Sequence, residues 1–365
     1  MLIIGNDFDG SCGYKTKYVD FLKTGYCNDS KLFSCFQNSD DLDVIDSDEW
    51  NGFEKLICQY LSFIRHLFTS NKIKRNFIDN NFLGFTGYEF SIDERLEDDI
   101  DAYKSFMSIA VSLGRILTLQ LNDGTKIIDY IVFRTLLDNR NIFPLKFVYF
   151  DTFKDFDKKD EIVEKRIIKK IEEELNKLEI GLQNYIKEET SKESHISSFL
   201  QDLISKCEFN QLLSFNYSYV AEKILNIEKN KSFYIHGDID GSIILGIEDN
   251  MLSNQTINNE SNYAVFFKRY RRILKDTITG LDNRILAFIN DKSIIGIYGH
   301  SLDLSDKSIF TRIFNSKAAR FDIYCYEDIN IYKERVNRLI GLDLFEELCS
   351  ADRIKFIPIP KEKIE

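Results

Sequence analysis

Two histidines and one asparagine that follow apolar runs are the residues of this sequence best suited to chemistry. His236 and His300 are two of only four histidines, and each adjoins a glycine. An imidazole with a pKa near ~6.5 can accept a proton at neutral pH, and an adjacent glycine lets a ligand approach the backbone closely. Asn216 follows Leu212-Leu213-Ser214-Phe215, and its amide could orient a water, hold a sugar hydroxyl or only cap the next helix. Together they predict a site that binds a polar ligand and moves a proton.

The first turn of the chain is a further candidate. The apolar run Leu2-Ile3-Ile4 leads into Gly5-Asn6-Asp7-Phe8-Asp9-Gly10. This turn is not a GxGxxG dinucleotide fingerprint, because an aspartate stands at the middle glycine and would repel a pyrophosphate unless turned away or neutralised. Two interpretations stay open. The Asn and Asp side chains could bond their own backbone, or Gly5, Asn6 and Asp9 could contact a nucleotide or its ribose.

The candidate residues follow strands of a predicted parallel sheet, at the end where open α/β sheets bind ligands. Strands are expected at residues 2–4, 212–215, 233–235, 243–245, 294–298, 322–326 and 354–357, and helices at residues 15–22, 219–225, 266–277, 305–316 and 331–340. This alternation predicts an α/β fold, a Rossmann-like parallel sheet with helices on both faces. A mainly α-helical insertion, residues 46–206, would split that domain into residues 1–45 and 207–365. Its clearest helix is amphipathic and covers residues 157–188.

Composition limits the classes of function. The 365 residues carry 48 Lys and Arg against 59 Asp and Glu, so the chain lacks the overall positive field that nucleic-acid binding favours. The seven cysteines have no zinc-binding spacing, so reduced thiols and no metal are expected. With no signal peptide and no apolar run of ~20 residues, a cytoplasmic protein without a membrane partner is expected. The basic run Lys268-Arg269-Tyr270-Arg271-Arg272 is expected on a solvated helix face, with phosphate contact as the alternative. Assembly into a homo-oligomer stays open.

A set of motifs spread over nearly the whole chain carries a family resemblance. They are Ile3-Ile4-Gly5-Asn6-Asp7-Phe8-Asp9, Lys15-Thr16-Lys17-Tyr18, Trp50-Asn51-Gly52-Phe53-Glu54, Phe215-Asn216-Tyr217, Ile235-His236-Gly237-Asp238, Ile244-Leu245-Gly246-Ile247-Glu248-Asp249 and Tyr298-Gly299-His300-Ser301-Leu302. In order and content they resemble the AbiH family of bacteriophage abortive-infection proteins. Asp7 stands where that family usually has Gly, and Cys12 where it often has His. The resemblance implies a phage-defence protein, with a phage-derived component as its trigger.

The order of these motifs is also similar to that of sirtuin-like NAD hydrolases of bacterial defence systems. That resemblance implies NAD as a substrate rather than a cofactor, and cleavage of its nicotinamide–ribose bond through an oxocarbenium-like transition state. Asn216 would orient the ribose or a water, and His236 would accept a proton. The predicted site comprises catalytic Asn216 and His236, with Gly5, Asn6, Asp9, Tyr217, Gly299, His300 and Ser301 binding the nucleotide.

Two other functions stay open. The run Asp7-Phe8-Asp9-Gly10-Ser11 resembles the DxDG[TS] motif of haloacid-dehalogenase-like phosphatases. In that case Asp7 would be the nucleophile and Asp9 the acid or base, with Mg²⁺ neutralising the pair. A chain without catalytic activity could instead bind a nucleotide and sense phage components through its helical region. Magnesium-dependent release of phosphate would mark the first function, and binding of ADP-ribose without turnover the second.

Overall fold

The computed structural model describes residues 1–30, 57–58, 61, 156–247, 262–275, 289 and 293–360. The chain divides into two compact units. The first comprises Met1–Cys27, Glu179–Asp249 and Phe266–Glu365, and the second comprises Asn28–Leu178 and Asn250–Val265. Most of the predicted insertion, residues 62–155, lies outside the described residues.

The first unit is built on a six-stranded parallel sheet. Its strands are β1 (Leu2–Ile4), β2 (Leu212–Ser214), β3 (Ser232–Tyr234), β4 (Ile294–Tyr298), β5 (Arg320–Cys325) and β6 (Ile354–Pro358). They lie in the order β3-β2-β1-β4-β5-β6, and every neighbouring pair is parallel. Ile3 of β1 is opposite Leu213 on one side and Ile297 on the other, so the first strand of the chain is central. This is the order of doubly wound folds, whose switch point here lies between β1 and β4.

Helices cover both faces of this sheet. The α-helices among the described residues are α1 (Asn6–Ser11), α2 (Tyr18–Leu22), α3 (Phe156–Glu189), α4 (Ser198–Lys206), α5 (Val220–Leu225), α6 (Lys268–Leu274), α7 (Lys307–Phe314), α8 (Ile329–Ile340) and α9 (Leu342–Ser350). Successive strand residues point to opposite faces, so each strand contributes to two cores. Ile3 shares one core with Phe310 of α7, and Leu2 shares the other with Phe8 of α1. The expected α/β parallel sheet with helices on both faces is confirmed.

Helix α3 is the long amphipathic helix that the sequence predicts. The apolar positions that repeat at helical spacing are buried: Ile167, Ile171, Leu175, Leu178, Leu182 and Ile186. In the part that belongs to the second unit, the carboxylate of Glu174 is fully buried and lies 3.2 Å from Lys170 Nζ and 2.9 Å from Lys177 Nζ. Within the described ranges, no helix is long and apolar enough to cross a membrane.

The strand expected at residues 243–245 is wrong. The described backbone there pairs with groups outside any strand: Leu245 N–H donates to Glu179 Oε1 at 2.7 Å, and Ile244 N–H donates to the His236 carbonyl at 2.9 Å. The local pattern of apolar residues is therefore overridden by a long-range polar contact. Residues Asn6–Ser11, expected to be a turn, form helix α1 instead, and helix α9 was not predicted.

Candidate active site

Two histidines that follow different strands meet at one aspartate, and we call these three residues the Asp306 group. His236 follows β3, and its Nε2 lies 3.1 Å from Asp306 Oδ1. His300 follows β4, and its Nε2 lies 3.5 Å from Asp306 Oδ2. All three side chains are buried. Asp306 occupies the N-cap position of α7 but its side chain accepts no hydrogen bond from that helix, so the carboxylate turns to the histidines instead.

The two histidines differ in which ring nitrogen remains open. Nδ1 of His300 accepts a hydrogen bond of 2.9 Å from the N–H of Leu302, so its proton belongs on Nε2, towards the aspartate. Leu302 has φ of 57°, a left-handed backbone uncommon for a leucine and the kind of strain that clusters at functional sites. Nδ1 of His236 is buried, and no described residue forms a hydrogen bond with it. His236 is therefore the histidine with an available nitrogen.

Burial and neighbouring charges determine the protonation states of Asp306 and His236. Burial alone would raise the pKa of Asp306, but Lys268, His236 and His300 hold that pKa well below its usual range. Burial lowers the pKa of His236 to about 4, with Lys268 and Arg272 lowering it further and Asp306 opposing them. At neutral pH the aspartate is ionised and His236 is neutral. With the ring proton on Nε2, which lies 3.1 Å from Asp306 Oδ1, the lone pair of neutral His236 is on Nδ1.

A second buried cluster surrounds Asp9 of α1, and we call Asp9, Thr16, Asn216 and Ser218 the Asp9 group. Asp9 Oδ1 accepts a hydrogen bond of 3.0 Å from Asn216 Nδ2. Asp9 Oδ2 accepts from the hydroxyls of Ser218 at 2.7 Å and Thr16 at 3.2 Å. Burial raises the pKa of Asp9 to about 6, although the three hydrogen bonds act to lower it. The group ties the first turn of the chain to the loop that follows β2.

Two glycines let the loops after β1 and β4 pack against each other. Gly5 N–H donates to the Tyr298 carbonyl at 3.0 Å, and Asp7 N–H donates to the Gly299 carbonyl at 3.1 Å. Gly299 has φ of +69°, and a Cβ added there would lie 2.5 Å from the backbone nitrogen of Phe8. A side chain at position 299 would therefore force the two loops apart.

The structure divides the predicted catalytic pair between the two groups. Asn216 belongs to the Asp9 group and His236 to the Asp306 group. Phe215 connects them, because it directly precedes Asn216 and its ring centroid lies 5.6 Å from that of His236. Within the described part of the chain, no hydrogen bond links Asn216 with His236.

The other predicted nucleotide-binding residues lie around these groups. Tyr217 is buried, and its ring centroid lies 6.3 Å from that of His236. Asn6 Oδ1 accepts a hydrogen bond of 3.1 Å from Thr16. Ser301 is partly exposed. Contact of these residues with a nucleotide stays a prediction.

The two aspartates of the first turn diverge. They are two residues apart in α1, a spacing that does not place side chains on the same helix face. Asp9 is buried, whereas Asp7 is partly exposed with Lys17 Nζ 3.4 Å from its Oδ1. The described residues contain no group of three or more His, Cys, Asp or Glu suited to a metal. Asp7 and Asp9 therefore do not form the pair of neighbouring carboxylates that a Mg²⁺-dependent phosphohydrolase would need, and this arrangement does not favour that function.

Three of the four basic residues of helix α6 are buried, contrary to the solvated face expected from its basic sequence. Lys268, Arg271 and Arg272 are all at least nine-tenths buried. Glu179 accounts for part of this: its Oε2 accepts hydrogen bonds of 2.8 Å from Arg271 Nη2 and 2.6 Å from Lys275 Nζ. Buried charged side chains need partners of opposite charge, because an isolated charge is strongly disfavoured away from water.

Sequence reasoning missed three residues of these groups: Asp306, Thr16 and Ser218. A cue for Asp306 existed, because it lies six residues after His300 at the start of a predicted helix. Thr16 and Ser218 each lie close in sequence to a candidate residue. Only the folded chain shows that their side chains reach Asp9.

Comparison with protein-family models matches residues 1–326 to the family described as bacteriophage abortive infection AbiH. The chain belongs to the AbiH family. The matched residues run from β1 through β5, so they include every member of the Asp9 and Asp306 groups. AbiH membership gives the protein a role in bacteriophage abortive infection. No curated protein and no solved structure matches the chain.

Proposed function

We propose that this AbiH protein acts in abortive infection by hydrolysing the nicotinamide–ribose bond of NAD. The observation that carries the proposal is the buried Nδ1 of His236, which no described residue hydrogen-bonds. Asp306 lies 3.1 Å from the other ring nitrogen, as in a base oriented by a carboxylate. A lone pair in that position fits a ligand that can donate a proton, such as a water held beside a substrate.

The strand order supports a nucleotide as the substrate. Doubly wound sheets bind ligands beyond the carboxyl ends of their strands at the switch point, which here lies between β1 and β4. The loops that follow those strands begin at Gly5 and Gly299 and are joined by backbone hydrogen bonds. Asp9 lies in α1, which begins directly after Gly5, and His300 directly follows Gly299, so both buried groups lie at the ligand-binding end of the sheet.

The proposed reaction consumes one water. The bond between ribose C1′ and the nicotinamide nitrogen breaks, and its electron pair neutralises the positive charge of the pyridinium ring. The water oxygen bonds to C1′, its proton passes to Nδ1 of His236, and the products are nicotinamide and ADP-ribose. A base whose pKa is about 4 is weak, which suits an oxocarbenium-like transition state in which bond breaking precedes water attack. Asn216 Oδ1 would accept a hydrogen bond from a ribose hydroxyl or from the water.

The purified full chain tests this function directly. With NAD as substrate, release of nicotinamide and ADP-ribose is expected, and His236→Gln should slow it by about 10²-fold or more. His195→Gln is the matched control, because His195 is exposed and belongs to neither group, and its rate should equal that of wild type. Chelation of magnesium should leave the rate unchanged. Magnesium-dependent phosphate release from an ester would support the phosphohydrolase instead, and ADP-ribose binding without turnover would support a nucleotide sensor.

Cells provide the second test. In phage-challenged bacteria, wild type is expected to lower NAD while it protects the culture, and His236→Gln to do neither. Protection by wild type with constant NAD would reject the proposal.

A further inference from the structure

Asp9 uses both of its carboxylate oxygens within the protein. Asn216 Nδ2 donates to Oδ1, and the hydroxyls of Ser218 and Thr16 donate to Oδ2. The side chain is only 1% exposed. A carboxylate engaged in this way acts on its protein neighbours rather than on a ligand.

We propose that Asp9 is the positioning residue for Asn216, and that it fixes the side-chain amide with the carbonyl oxygen, not the NH₂ group, directed at the substrate. This role rests on the proposed function, in which Asn216 holds a ribose hydroxyl or the water. An ionised carboxylate only accepts hydrogen bonds, so it must face the NH₂ group of the amide. Asn216 Oδ1 then points away from Asp9, and no described residue donates to it.

The backbone of Asn216 is held independently of Asp9. Its N–H donates to Ser214 Oγ at 3.0 Å, and its carbonyl accepts from the same hydroxyl at 3.0 Å. Loss of the Asp9 carboxylate should therefore free the amide to rotate while the loop after β2 stays in place. This separation lets the positioning role be tested apart from the fold.

The hydrogen bonds that the Thr16 hydroxyl can form depend on whether Asp9 is protonated. Thr16 has one hydroxyl hydrogen but lies 3.1 Å from Asn6 Oδ1 and 3.2 Å from Asp9 Oδ2, and both of these are acceptors when Asp9 is ionised. If Asp9 is protonated, it can donate to Thr16, and Thr16 can donate to Asn6. With Asp9 ionised, Thr16 can donate to only one of the two, whereas with Asp9 protonated both contacts are hydrogen bonds. Protonation also weakens the acceptor that holds Asn216.

The groups around Asp9 leave its titration simple. Burial raises its pKa to about 6, and hydrogen bonds from Ser218, Asn216 and Thr16 act against that rise. Cys12 is a titratable neighbour, and burial together with the charge of Asp9 raises the thiol pKa to about 12, so it is uncharged at neutral pH. On the same helix, Asp7 lies beside Lys17, whose Nζ is 3.4 Å from its Oδ1. A single proton near pH 6 should therefore control the hold on Asn216.

The test follows the side-chain amide of Asn216 by NMR in the full chain, assigned by its loss in Asn216→Ala. In wild type, the ¹⁵N–¹H signals should shift with a midpoint near pH 6, and kcat for NAD should change with the same midpoint. Asp9→Asn should abolish both transitions. Ser205→Ala, in the exposed part of α4, is the control and should keep them.

Ser218→Ala provides a second variant if Asp9→Asn does not fold. It removes a hydrogen bond that lowers the pKa of Asp9, so the amide midpoint should rise above that of wild type. An Asn216 amide signal in Asp9→Asn that matches that of ionised wild type, or a pH transition that persists in Asp9→Asn, would overturn the positioning role even if NAD is cleaved. If NAD is not cleaved, the proposed function fails, and the amide titration still decides whether Asp9 controls Asn216.

Discussion

Acidification tests the environment of His236 most sharply. Burial lowers the pKa of this histidine from 6.5 to about 4, and the charges of Lys268 and Arg272 act in the same direction, against Asp306. As the pH falls, the unfolded chain takes up a proton at this residue before the folded protein does. The stability contributed by neutral His236 is therefore present above pH 6.5 and is lost as the pH falls from there towards 4.

The size of the loss follows from the two pKa values. The effect is RT ln of the ratio of 1 + 10^(pKa − pH) in the unfolded chain to the same quantity in the folded protein. At pH 5 this ratio is about 30, so proton uptake favours the unfolded chain by about 2 kcal/mol, against about 0.2 kcal/mol at pH 7. His236→Gln binds no such proton. Its loss of stability between pH 7 and pH 5 should therefore be smaller than that of wild type by about 2 kcal/mol, or roughly 4–8 °C in the Tm of the first unit, to which His236 belongs.

Thermal unfolding at pH 7 and pH 5 measures this difference. Wild type, His236→Gln and the exposed control His195→Gln are compared, so that contributions shared by all three chains cancel. The control should lose as much Tm as wild type. Equal losses in wild type and His236→Gln would refute the reasoning. So would an NMR midpoint for the His236 Cε1–H at or above 6.5, because Asp306 would then outweigh burial and the histidine would not be a neutral base.

Three further substitutions have expected outcomes. Asp306→Asn should slow NAD cleavage by about 10²-fold or more, measured by nicotinamide release, because the carboxylate orients its histidine base; an unchanged rate would exclude that role. Asp9→Asn should remove an unfavourable contribution of about 3 kcal/mol to the folding free energy at pH 8, because the raised pKa of Asp9 means that stability is lost as pH rises from 3.8 through about 6. Urea unfolding should show a larger gain in stability, relative to wild type, at pH 8 than at pH 5. The same loss of stability at both pH values would contradict this prediction. Glu179→Gln should destabilise the first unit by about 3–5 kcal/mol, because Arg271 and Lys275 lose their carboxylate, whereas Glu193→Gln, at an exposed position, should change stability little.

The sheet could be predicted from the sequence because its strands are short apolar runs between polar turns. The strand expected at residues 294–298 coincides with Ile294–Tyr298, and the helix expected at 157–188 falls within Phe156–Glu189. Residues 243–245 carry the same local signal but form no strand, because Glu179 binds the N–H of Leu245 from 66 residues away. Periodicity reports which residues are apolar, and it does not report which long-range partner will take a backbone group.

The candidate site was predictable as a set of residues and not as a set of contacts. Strand ends drew attention to Asn216, His236 and His300, but some of their hydrogen-bond partners lie far away in sequence, 207 residues in the case of Asn216 and Asp9. Asp306 looks like an ordinary helix N-cap in the sequence. Its carboxylate faces histidines only because β3 and β4 deliver them to the start of α7.

The central position of β1 has a consequence for synthesis of the protein. Residues 2–4 are translated about 200 residues before one of their sheet neighbours, residues 212–214, and about 300 before the other, residues 296–298. A nascent chain must therefore keep β1 unpaired until these distant residues have been translated, and such long-range pairing is slow to form. Asp306 emerges later still, so a growing or truncated chain cannot assemble the Asp306 group. Any fragment that ends before residue 306 therefore lacks the carboxylate that brings His236 and His300 together.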